Sequence, residues 1–140
     1  MKRWIISAFG IGVAAYAMTA HAHHSIAGVY DGSQQVTIEG VITRFQFVNP
    51  HPFVVMEVKD GNGKALQWRL EMDNRWELAE IGVDEETLKP GDRVMVTGSP
   101  ARRQPQSLYV RRLERPADGF MYQQIGTRPS IGSTTSQPRD

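Results

Sequence analysis

The clearest pattern in the chain is strict alternation at Leu66, Trp68, Leu70 and Met72 against Gln67, Arg69 and Glu71. A period of two over seven residues predicts a strand with one face on a core, and places Trp68 in that core. Phe53 to Lys59 alternates in the same way, with Val54, Met56 and Val58 inward. Asp60-Gly61-Asn62-Gly63 between the two runs is a hairpin signal. Upstream, Val36 to Val48 predicts a long strand in two phases: Val36 and Ile38 in one, Val41, Thr43, Phe45 and Phe47 in the other. The change falls at Gly40 and predicts a β-bulge there. Asn49-Pro50-His51-Pro52 cannot continue a central ladder and reads as a connection.

After the third strand, Asn74 with Glu77 three residues on is a helix start and Gly82 a helix stop. The apolar stripe of that helix is narrow, which suits a plug at the end of a sheet. Lys89-Pro90-Gly91-Asp92 launches a fourth strand, Arg93 to Gly98, and Leu108 to Arg115 supplies a fifth. Three strands, one short helix and two more strands predict an all-β domain, a small five-stranded OB-fold-like barrel. A β-sandwich, the competing architecture, ordinarily needs about seven strands.

The ends of the chain read differently. Met1-Lys2-Arg3, an apolar run from Trp4 to Met18 and Thr19-Ala20-His21-Ala22 have the three parts of a secretory signal peptide. The run is short against the roughly 20 apolar residues of a membrane span. The expected organisation is a signal peptide over 1–22, a lead-in over 23–35, a barrel over 36–122 and a disordered polar tail over 123–140. The product is expected to be periplasmic or secreted, with an uncleaved anchor as the alternative. No cysteine occurs in the 140 residues, which excludes disulfides and thiolate metal sites. Of 16 basic residues, Lys2 and Arg3 leave with the leader, so 14 remain against 15 acidic ones. That balance argues against nucleic acid as a partner, despite Arg102, Arg103, Arg111, Arg112 and Arg115.

Three of the four histidines fall within Ala20-His21-Ala22-His23-His24-Ser25. Cleavage after Ala22 makes His23 the first residue, whose free amine and imidazole form a chelate. A second imidazole completes an all-nitrogen site that suits copper better than zinc. His51 is the better third ligand and His24, adjacent and strained, a weaker one. Glu71 is a candidate for orienting an imidazole, against the plainer reading of a solvated carboxylate paired with Arg69. Cleavage after Ala20 would instead start the chain His21-Ala22-His23, a square-planar Cu(II) motif that does not need His51.

His23-His24-Ser25, Asn49-Pro50-His51, Trp68-x-x-Glu71 and Leu88-Lys89-Pro90-Gly91-Asp92 occur together. In that combination the chain resembles a group of exported bacterial proteins known only as a domain of unknown function, over roughly residues 20 to 122. Asp73-Asn74-Arg75-Trp76 departs from the Ser-Pro-Asn sequence its relatives carry at the helix start. The resemblance implies export and an OB-like barrel, and no activity. No nucleophile–base pair, paired-carboxylate motif or phosphate loop is present, so an enzyme is not expected; a copper oxygenase would rest on the histidines alone. Two readings stand: a periplasmic copper-binding module, and a metal-free module binding a protein, peptide or small ligand.

Overall fold

The computed structural model describes residues 26–134. The elements are β1 (Val36–Gln46), β2 (Phe53–Lys59), β3 (Ala65–Glu71), α1 (Arg75–Glu80), β4 (Arg93–Pro100), β5 (Ser107–Arg115), β6 (Phe120–Ile125) and β7 (Arg128–Ser133). Strands β1 to β5 close into a barrel. β1 pairs antiparallel with β2 and with β4, β2 with β3, and β4 with β5. A short parallel ladder, Arg69–Glu71 against Ser107–Tyr109, joins β3 to β5 and seals the circuit. This is the expected OB-like barrel. β6 and β7 extend the sheet beyond β5.

The inward phase of each strand makes the core. Ile42, Val54, Met56, Leu70, Val94, Val96, Leu108, Val110 and Leu113 are all buried. Trp68 shares the inward phase of β3 but is half-buried, packed against the core rather than within it. The phase change in β1 is also displaced from its expected place. Register against β2 shifts between Ile42 and Arg44, so Ile42 points inward and Thr43 is the extra residue. Gly40 has another role: a Cβ there would lie 2.2 Å from the Glu57 carbonyl oxygen, so only glycine lets the two backbones approach.

Helix α1 begins and ends on the residues that announce it. Asn74 accepts from the Glu77 amide at 2.9 Å. Gly82, at φ +93°, donates to Ala79 while Val83 donates to Leu78, the paired bonds of a Schellman ending. Leu78 is the residue α1 buries; Trp76 is 68% exposed, so the stripe is narrower still than the pattern suggests.

The largest difference lies at the C-terminal end. Polar composition predicts a disordered tail from Gln123, yet residues 123–125 complete β6, β7 follows, and the order continues to Thr134. Six residue pairs join the two strands, and Gly126, at φ +63°, stands in the two-residue turn between Ile125 and Arg128. Backbone pairing and two inward side chains, Tyr122 and Gln124, hold the hairpin without much apolar surface. Residues 135–140 lie outside the described residues.

Candidate functional site

The lead-in is fastened across the β4–β5 end of the barrel. A helical turn over residues 26–29 leads into Tyr30, which bridges to Ala101. Asp31 donates to the Pro100 carbonyl and Arg102 to the Val29 carbonyl, both at 2.8 Å. Asp31 also takes the Ser33 and Gln34 side chains and faces Arg102 at 3.5 Å. The Ser33 hydroxyl and amide lower the Asp31 carboxyl from its ordinary range. A cleft of ≈ 810 Å³ opens beside this segment. Its walls are Ile26, Ala27 and Tyr30 of the lead-in, His51 of the β1–β2 connection, Asp73 and Asn74 before α1, Tyr109 and Arg111 of β5, and Gln124 of β6.

His51 occupies this wall because the Asn-Pro-His-Pro connection runs beside the exit of β3. The Met72 amide bonds the Pro52 carbonyl, and the Met72 carbonyl meets His51 Nδ1 at 2.9 Å. A carbonyl can only accept, so Nδ1 carries the proton and Nε2 keeps the lone pair of the neutral ring. Glu71 Oε1 is 3.8 Å from the same Nδ1, beyond hydrogen-bond length, and adds a charge rather than a bond. Glu71 does not pair with Arg69 as the plainer reading expects. Its other oxygen accepts from the Tyr30 hydroxyl at 2.6 Å, which ties the lead-in to β3. Burial, and then this carboxylate, push the Tyr30 hydroxyl up to about 12.

The cleft floor is built on Asp73, a buried carboxylate that the sequence pattern does not single out. It accepts from Tyr109 Oη at 2.5 Å, Tyr122 Oη at 3.2 Å and Gln124 Nε2 at 2.8 Å. Arg111 donates to Gln124 Oε1 and lies over the Tyr109 ring, so its charge reaches Asp73 through one amide. Burial first, and Asp73 next, raise both tyrosine hydroxyls well above the phenol range. The available signal was Tyr109, Tyr122 and Gln124 on two strands of suitable phase, but Asp73 reads locally as a turn residue before a helix.

The other arginines in the basic run are mostly engaged. Arg112 pairs with Glu114, and Arg115 with Asp92 and Asp118. Among the described residues no three or more His, Asp or Glu side chains are grouped to hold a metal ion. Of the expected ligands, His51 lines the cleft with Glu71 3.8 Å behind its Nδ1, whereas His23 and His24 lie outside the described residues. The expected signal peptide also lies there. Among the described residues no helix is long and apolar enough to cross a membrane.

A family model described only as a family of unknown function, DUF6152, matches residues 11–108. The chain belongs to this family. The part of the DUF6152 protein that matches includes His23, His24, His51, Glu71 and Asp73, and stops before Tyr109. No curated protein matches it.

Proposed function

We propose that this DUF6152 protein is an exported copper-binding module, whose site joins the mature N-terminus at His23 to His51. The observation that carries the reading is the His51 ring, which lines the cleft: Nδ1–H is spent on the Met72 carbonyl, so Nε2 is the ring nitrogen that this bond leaves as a donor atom. Fixing one ring nitrogen on a carbonyl is how proteins commonly orient a metal-binding histidine. Ile26 lines the same cleft, and the three residue steps back to His23 span at most about 10 Å. The fastened lead-in supports the reading as well, since it holds residues 26–31 beside the cleft. One imidazole cannot hold an ion alone; the amine and ring of His23 would supply the other two nitrogens. Three nitrogen donors suit Cu(II) more than zinc. A bound ion would be held by the protein for carriage or delivery, with no catalytic step assigned.

Isothermal titration of the mature protein with Cu(II) tests this. One equivalent is expected, with affinity falling below about pH 6, where imidazoles ordinarily take up protons. His51→Ala is expected to weaken binding at least tenfold, and His24→Ala much less. One extra residue before His23 converts the ligand amine to an amide and is expected to weaken binding strongly. If His51→Ala changes nothing while the added residue abolishes binding, the site is a local chelate and the barrel plays no part. If neither matters, copper is not its ligand.

A further inference from the structure

A second cleft, of ≈ 450 Å³, lies on the barrel wall between β3 and the loop joining β4 to β5. Cross-strand register sets its chemistry. Arg44 of β1 stands opposite Val55 of β2, and Val55 opposite Arg69 of β3. The two arginines therefore flank one valine on the outer face, two strand spacings apart, about 10 Å at the backbone. Arg44, Val55 and Arg69 all line the cleft. Arg69 is already oriented, its guanidinium 3.4 Å from the centroid of the Phe53 ring. Among the described residues, neither Arg44 nor Arg69 forms a salt bridge.

The remaining lining is rich in donors. Gln67, Gln104 and Gln106 bring side-chain amides, and no Asp or Glu lines the cleft. The main cleft, in contrast, has Asp31, Asp73 and Glu77 on its walls. Trp68 also lines the cleft, and its indole N–H is buried without an acceptor among the described residues. Gln106 is held at φ +51°, a left-handed conformation that non-glycine residues adopt at a cost, and its carbonyl is bonded to the Arg69 amide. OB-type barrels commonly take ligands on this face of strands two and three, beside the loop between strands four and five.

We infer that this second cleft binds a small carboxylate anion, bridged between the guanidinium groups of Arg44 and Arg69. A carboxylate matches the planar donor fork of each arginine, and the glutamine amides complete its hydrogen bonding. The inference is independent of copper and of the N-terminus.

The test is an NMR titration of ¹⁵N-labelled protein with sodium succinate at constant ionic strength, following the Trp68 indole resonance. A saturable shift is expected with succinate and none with sodium chloride. Arg44→Ala and Arg69→Ala should each weaken binding about tenfold or more, the loss of one charge-assisted contact. Arg69→Lys, which keeps the charge but loses the fork, should also weaken it. Lys89→Ala removes the same charge at a distant exposed site and should leave the titration unchanged. The backbone spectrum of each variant shows whether it is folded. An indole resonance that does not move, one that moves equally in chloride, or equal affinity in the folded Arg44 and Arg69 variants would overturn the inference.

Discussion

Four hydrogen bonds meet on Asp73 at the main cleft. Its carboxylate accepts from three side chains on two strands, all of them within the protein's interior or its margin. Asp73→Ala takes the acceptor from both tyrosine hydroxyls, leaves Gln124 Nε2 only its 3.3 Å bond to Tyr109 Oη, and is expected to cost about 3–5 kcal/mol in urea unfolding. Tyr122→Phe removes only the longest of the bonds and should cost about 1 kcal/mol. Equal effects of the two changes would show that the carboxylate is solvated rather than built in. Tyr30 makes a pH prediction. Its hydroxyl is raised to about 12, so the stability it lends is complete below about pH 10, the ordinary phenol value, and is lost as pH climbs through 12. Tyr109 and Tyr122 are raised in the same sense. Unfolding free energy should therefore hold up to about pH 10 and fall above it, and Tyr30→Phe should fall less steeply. An identical slope in the variant would contradict the assignment.

Among the elements, the β6–β7 hairpin is where composition and structure part. Gln, Gly, Ser and Thr lack the apolar area that marks a packed segment, but backbone pairing with β5 needs none, and Tyr122 supplies the anchor. Deleting residues 123–140 removes Gln124 from the Asp73 carboxylate and strips the outer neighbour from β6. It should lower stability by about 2–3 kcal/mol, measured by chemical unfolding, whereas removal of a disordered tail would cost nothing. The bulge in β1 misled for a related reason. Sequence shows that a phase changes near a glycine, but not which residue is doubled, because both placements keep Phe45 inward. Gly40 is instead required by the approach of β2, and Gly40→Ala should cost about 1–3 kcal/mol or more, since the contact is with backbone. A neutral effect would mean that the strands are further apart than described.

For the molecule as a whole, alternation along β2 and β3, the turn residues and both helix caps made the barrel legible, because each is a local signal that tertiary packing left unchanged. The cleft was legible only in part. His51 stood out because histidines are few and it follows a proline-bounded strand, and Glu71 because of its phase. Tyr30, Asp73, Tyr109 and Gln124 are distant in sequence and meet only when the barrel closes and the hairpin folds back. In the proposed copper site the barrel contributes His51 and the N-terminus the remaining nitrogens. Electron spin echo spectroscopy of Cu(II)-loaded mature protein reads this most directly, since the remote nitrogen of each coordinated imidazole modulates the echo. The signature of two imidazoles is expected in the native protein and of one in folded His51→Ala. The same signature in both would contradict it.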